Sequence, residues 1–248
     1  MTVHTVQLDN VSFSYGRKKP RILDDLSYTV PEGFTLLLGP NGAGKSTMLK
    51  LACGMNQPAC GTVRLGRFTS RDRQFLAHVA WMPQSITAMT GLTAREQVAY
   101  TGWLKGMGKS AAWEAAAEAL DRVQMRERGD VRTKHLSGGQ LRRVGVASAL
   151  VHGARILLLD EPTAGMDPTQ RRVFRDLILS LATSEIRVLM STHDISDLAE
   201  EADHVTVVDD GRVMFTGDTP AFLRLAPAQT RPERRGEAAY AAAISPRP

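Results

Sequence analysis

Only two cysteines occur in 248 residues, Cys53 and Cys60, and neither has metal-type spacing or companion ligands. A disulfide framework is therefore excluded as the organising element, and both residues read as ordinary thiols of a reducing compartment rather than half of a zinc site. Long apolar runs are missing too. Uninterrupted stretches are as short as Ile156 to Leu159, far below the roughly 20 residues of a membrane-spanning helix. The opening MTVHTVQLDN lacks a basic stretch followed by an apolar core, so no signal peptide is expected. No internal repeat is visible. Charge of one sign is not extreme: the net charge is +5 and the pI about 9.5. That balance fits an anionic ligand, a lipid surface or nucleic acid and selects none of them. These absences leave a cytoplasmic chain whose work on a membrane, if any, depends on spans supplied by other chains. What is present is an ordinary globular mix, 43% hydrophobic and 23% charged, long enough for one large domain or two small ones with a sizeable core.

Periodicity gives the organisation. Residues 4 to 15 alternate and are rich in β-branched and aromatic side chains, which predicts a strand; ILDDLSYTV, residues 22 to 30, predicts another, closed by Pro31-Glu32-Gly33. Phe34 to Leu38 is continuously apolar and reads as a strand buried on both faces. A helix is predicted over Ser46 to Cys53, stopping at Gly54. Residues 92 to 129 turn alanine-rich with helical periodicity, an inserted helical unit. Residues 140 to 151 are again helical, Ile156 to Leu159 is a second buried strand, and Asp167-Pro168 is an N-cap and N1 pair opening a helix to about Ala182. A strand over Arg187 to Ser191 follows. Asp210-Gly211 between two apolar segments predicts a hairpin. Alternating strands and helices make this an α/β chain with a parallel core sheet, plus an antiparallel part near the N-terminus. From about residue 226 the tail is rich in Pro, Arg and Ala and is expected to be mobile, apart from a possible helical turn at YAAAI.

The stretch GPNGAGKST, residues 39 to 47, follows the buried strand and holds three glycines, a lysine and two hydroxyls. Gly39, Gly44, Lys45 and Ser46 match G-x-x-x-x-G-K-[ST], with Pro40, Asn41, Gly42 and Ala43 between and Thr47 after. Glycines let backbone N–H groups turn inward around phosphate oxygens. The helix that follows aims its N-terminal dipole at the same anion. Lys45 is expected on the β- and γ-phosphates of ATP, and the Ser46 hydroxyl on Mg²⁺. Further on, RILLLDEP puts Asp160 and Glu161 at the carboxyl end of a buried strand, where parallel sheets place ligands. Asp160 would complete the Mg²⁺ site with Ser46, and Glu161 would polarise the water that attacks the γ-phosphate.

Between these two motifs lies LSGGQ, Leu136 to Gln140. With it, roughly residues 4 to 225 resemble the nucleotide-binding subunit of an ATP-binding-cassette (ABC) transporter: a P-loop NTPase cassette with a parallel core sheet, an antiparallel β subdomain and a helical subdomain at about residues 85 to 135. The resemblance implies several roles. Tyr15 in FSYG would stack on adenine, although the same residue also reads as a half-buried strand position. Gln84 in WMPQ would sense Mg²⁺ and water and couple the core to the helical insert. Ser137, Gly138, Gly139 and Gln140 would bind the γ-phosphate held by a second copy. Asp167 matches the residue that crosses the dimer interface and is equally the N-cap noted above. His193 in STHD would contact the γ-phosphate. One departure stands out: Gly165 and Met166 replace the family's usual small residue and leucine before Asp167. Methionine fills the leucine's role, and no catalytic group is missing.

The family likeness also implies the partners: a second copy or a homologous cassette, and separate transmembrane permease subunits, with the chain peripheral on the inner face of the cell membrane. The WMPQ motif, GLTAREQVAYTGWLKG and STHDISDLAEEADHVTVVDDGR are most similar to export-type, multidrug or antibiotic-resistance ATPases, with an importer as the alternative. Soluble relatives on ribosomes or DNA carry two cassettes or a long coiled-coil insertion. Thr47 to Leu136 has no room for one, so no nucleic acid is expected. A stand-alone nucleotide-binding scaffold is the remaining alternative.

Overall fold

The computed structural model describes residues 5–183, 185–194 and 202–245. Residue 4 of the first expected strand, residues 195–201 within the export-like stretch, and the last three residues of the tail lie outside it. The apolar runs become the middle of a six-stranded sheet. Phe34–Leu38 forms β3, following β1 (Val6–Phe13) and β2 (Leu23–Thr29). After β3 come α1 (Lys45–Ala52), β4 (Cys60–Leu65), β5 (Phe68–Thr69), α2 (Arg73–His78) and β6 (Val79–Met82). The helical insert supplies α3 (Ala94–Leu104) and α4 (Lys109–Arg122), and α5 (Gly138–Leu150) follows it. The chain returns through β7 (Ile156–Asp160), α6 (Pro168–Leu181) and β8 (Arg187–Thr192). It then continues into β9 (His204–Asp209), β10 (Arg212–Asp218), α7 (Thr219–Leu223) and α8 (Arg235–Ile244).

The large sheet runs β10-β9-β3-β8-β7-β6, parallel except for the β9–β10 hairpin. Its strands β3, β7 and β8 are buried at every position, their polar residues Thr35, Asp160, Arg187, Ser191 and Thr192 included, because the central strands of a parallel sheet are covered on both faces. One face carries α5 and α6 together with the helical insert; Phe34, Leu157, Val188 and Phe174 belong to that core. The other face packs α1 and the second sheet, β2-β1-β4-β5, around Leu8, Leu26, Met48 and Leu158. This second sheet is the expected antiparallel part.

Helix α6 shows how sequence sets this packing. Asp167 accepts from the Gln170 N–H at 2.9 Å and Pro168 occupies the first helical position. The helix then buries Phe174, Leu177, Ile178 and Leu181 on one stripe, each contributing about 1.5–3 kcal/mol. In the insert, Thr93 and Glu96 form a reciprocal cap on α3, and α4 buries Ala112, Ala116, Ala119 and Leu120. Among the described residues no helix is long and apolar enough to cross a membrane.

Two regions differ from the sequence expectation. Strands β4, β5 and β6 and helix α2 carry too little periodic signal: of Cys60–Leu65 only Val63 and Leu65 are buried. The tail, expected to hold no more than a turn, forms α8 over Arg235–Ile244, with Ala239 buried and Tyr240 and Ile244 packed on the cluster of Val205, Val207 and Phe222.

Candidate active site

The chain leaves β3 at Leu38 and reverses through Gly39–Gly44 into α1. Gly44 has φ 99° and Gly42 φ 87°, conformations that a side chain would strain. The helix N-terminus and the loop N–H groups thereby border a cleft of about 540 Å³. Lys45 is buried, 5% exposed. Its Nζ donates to Gly39 O at 2.7 Å and Pro40 O at 3.0 Å and stands 3.7 Å from Glu161 Oε1. Burial pushes the ammonium pKa down, and the charges of Glu161 and Asp160 oppose that shift.

The parallel register of β7 and β8 sets Asp160 beside Ser191. Ser46 Oγ donates to Asp160 Oδ1 at 2.8 Å, and Ser191 Oγ donates to the same oxygen at 3.0 Å. Ser191 Oγ also accepts from the Glu161 N–H at 3.0 Å. One hydroxyl thus ties both acidic residues, a role the sequence reading did not assign; its only signal is a small hydroxyl at the end of a strand leading into His193. Ser46 and Asp160 present two hard oxygen donors side by side at the edge of a phosphate-sized cleft. That set fits Mg²⁺, which takes one or two protein oxygens and fills its remaining positions with water and substrate phosphate.

Glu161 is the focus of the cleft. Its backbone is left-handed, φ 42°, a conformation costing a glutamate about 1–2 kcal/mol, and such strain gathers at working sites. Gln84 Nε2 donates to Glu161 Oε2 at 3.2 Å, and His193 Nδ1 lies 3.2 Å from the same oxygen. The carboxylate is only 15% exposed whereas His193 is 49% exposed, so the imidazole forms the outer rim. Asp194, next to it, accepts from its partner Arg171 on α6, and its N–H donates to Thr192 Oγ1 at 3.0 Å. Tyr15 is 51% exposed. Its hydroxyl shares a 3.2 Å hydrogen bond with Thr47 Oγ1, and its ring stands edge-on to Phe13, centroids 5.0 Å apart.

The fold therefore assembles Gly39–Thr47, Gln84, Asp160, Glu161 and His193, with Tyr15 at the margin. It does not bring Ser137, Gly138, Gly139, Gln140 or Asp167 to that cleft. Ser137 caps α5, accepting from Gln140 N at 3.2 Å while its own N–H donates to Gln140 Oε1 at 3.0 Å. Ser137, Gly139 and Gln140 line another cleft, about 670 Å³, with Met166 and Gln170. A side chain on Gly138 would meet nothing within 4 Å, so this helix start is open to an approaching molecule.

A glycine loop between a buried strand and a helix, facing two acidic residues at the ends of parallel strands, defines a P-loop nucleotide-binding domain. The chain belongs to the ABC transporter family, whose profile matches residues 23–164, and it is built as an ATPase cassette of that family. It is 35% identical over 221 residues to the Nod factor export ATP-binding protein I of Sinorhizobium fredii, covering 88% of this chain and 64% of that relative's length. It is 38% identical over 205 residues to a probable metal transport system ATP-binding protein of Chlamydia trachomatis, covering 77% and 83% of the two chains. Among solved structures it is similar to a dimeric ATP-binding cassette in a post-hydrolysis state bound to ADP and Pi, with TM-score 0.73 and 26% identity over 86% of this chain and 98% of that one.

Proposed function

We propose that the chain hydrolyses ATP as one half of a paired cassette and that the reaction drives export through separate transmembrane subunits. The observation that carries the hydrolytic reading is the Glu161 carboxylate, held by Gln84 and His193 above Lys45 and Ser46. ATP binding places the β- and γ-phosphates on the N–H groups of Gly42, Gly44 and Lys45, with the Lys45 ammonium turning from Gly39 O and Pro40 O to the phosphate oxygens. Ser46 and Asp160 would hold Mg²⁺, which would supply positive charge to offset that of the phosphates. Glu161 Oε2 accepts the proton of the attacking water, and the Gln84 amide and His193 imidazole fix its direction. The exposed ring of Tyr15 offers a stacking face to adenine. Ser137, Gly138, Gly139 and Gln140 of a second copy supply the open helix N-terminus over the γ-phosphate, with Asp167 close to the junction. The separation of the two clefts on one chain supports this split arrangement, as does the likeness to a dimeric cassette.

Export is supported by the likeness to the Nod factor export protein. The likeness to a metal transport protein favours a second reading, a cassette serving metal import. A third groove, about 320 Å³, supports a protein partner. Trp81 Nε1, Ser148 Oγ and both ring nitrogens of His152 lie along it, shielded from solvent and without hydrogen-bond partners among the described residues. The apolar side chains that line the groove, Ile86 and the exposed Met89 among them, offer a seat to a cytoplasmic segment of a permease. Purification from a mild detergent extract tests the reading. A multi-span permease is expected to co-purify; ribosomal proteins or DNA without a permease would overturn the transport assignment and leave the ATPase chemistry standing.

The same groove predicts a pH dependence. Burial, with the charges of Lys105 and His78 adding, pushes the His152 imidazole from 6.5 down to about 4. The unfolded chain takes the proton first as pH falls, so this group lowers stability progressively between about pH 6.5 and pH 4, by roughly 3 kcal/mol in full. Urea unfolding across that window is expected to show a shallower acid slope in His152→Leu. Equal slopes in the two proteins would contradict the assignment.

A further inference from the structure

The phosphate loop has a support that the chemistry above does not use. The β9–β10 turn, Asp209 to Arg212, lies against its outer side, and the Gly211 N–H donates to Ala43 O at 3.0 Å. The two segments come close at both ends of the loop. A Cβ on Gly39 would stand 2.2 Å from Val208 O, and one on Gly44 would stand 3.6 Å from Gly211 Cα. The entry to β2 closes the junction: a Cβ on Gly211 would lie 2.1 Å from Ile22 O, and one on Gly44 would lie 3.0 Å from Leu23 Cδ2. Gly211 also has φ 71°. Three backbone segments therefore meet where no side chain fits.

The need for such a junction follows from what the loop does. A loop that turns its N–H groups toward phosphate must turn carbonyls away, and a carbonyl turned into the protein requires a donor. Gly39 O and Pro40 O take theirs from Lys45 Nζ. Under the nucleotide reading that donor moves to the phosphates on binding. Ala43 is buried, and its carbonyl takes its donor from outside the loop, from a backbone group that has no other task.

We propose that Gly211 is a positioning residue for phosphate binding: its N–H holds the Ala43 carbonyl outward and so keeps the Gly44 N–H, in the same planar peptide unit, aimed into the cleft. The proposal rests on the nucleotide reading. It predicts a defect confined to the phosphate end of the ligand, because the turn's hydrogen bond reaches the phosphate loop at Ala43, whereas Tyr15 is held by Thr47 and Phe13.

The test uses the full chain and two fluorescent probes, trinitrophenyl-ADP and trinitrophenyl-adenosine. In Gly211→Ala the ADP derivative is expected to bind about tenfold more weakly, the equivalent of one lost hydrogen bond of about 1.4 kcal/mol. The adenosine derivative is expected to keep its affinity within about twofold. Equal losses for both probes, or no loss for either, would overturn the positioning role and leave the nucleotide reading in place. No binding of the ADP derivative by the unaltered chain would overturn both. Because the variant strains the turn, a second measurement uses the unaltered chain. Exchange of the Gly211 amide hydrogen is expected to slow at least about tenfold with ADP and to stay unchanged with adenosine. Exchange indifferent to ADP would count against the proposal independently of any variant.

Discussion

Glu161→Gln is expected to lower ATP turnover by about 10²–10⁴-fold, the range that a positioned general base contributes, while ATP binding persists. Glutamine keeps the shape and the hydrogen-bonding reach toward Gln84 and His193 but has no basic oxygen to take a proton. It also removes a negative charge that stands 3.7 Å from Lys45 and beside the position of the γ-phosphate. Like charges in a half-buried cleft repel strongly, so ATP should bind at least as tightly as before. Bound but unhydrolysed ATP then accumulates in the closed pair. Two readings check this: phosphate release in steady state, and size-exclusion chromatography with and without ATP, where the variant shifts to the dimer position. Phosphate release at the parent rate would move the base role to another residue.

Lys45→Ala is expected to weaken ATP binding by about 10- to 100-fold, matching the 1.5–3 kcal/mol of a charged hydrogen bond. Lys45 is the one side chain of the loop whose cation lies buried between the acidic residues and the loop carbonyls. Its loss removes the phosphate partner and takes the Lys45 donor from Gly39 O, while Pro40 O keeps the Ala43 N–H at 3.2 Å. Melting of the free protein separates the two effects, since damage to folding lowers Tm before any ligand is added. An ATP Kd equal to that of the parent chain, measured by fluorescence titration, would remove Lys45 from the binding site.

Much of this site was legible because its parts are either contiguous or mark strand ends. Gly39–Thr47 follows an apolar run, and Asp160-Glu161 closes another, so pattern and chemistry coincide. The helix cap at Asp167 was equally readable, whereas the helix expected from residue 140 begins two residues earlier, capped by Ser137. What the sequence did not display are the links made across the sheet. Ser191 joins Asp160 and Glu161 only because β7 and β8 lie in register. Gly211 reaches Ala43 only because β9 lies next to β3. Helix α8 escaped for a related reason: it is short, begins Arg-Gly-Glu, and owes its order to packing on Phe222 and its neighbours rather than to its own composition. Strand β4 and the two-residue edge strand β5 bury too few side chains to announce themselves.

The signature helix start and the phosphate loop open into different clefts of the same chain. In the paired arrangement, competent enzyme forms by encounter. In dilute solution, halving the protein therefore quarters the output rather than halving it. Seating two copies on one membrane assembly replaces that encounter with a local concentration in the millimolar range. On the proposed split-site reading, geometry alone, without any inhibitor, would keep a newly made copy drifting alone from consuming ATP until it reached its assembly.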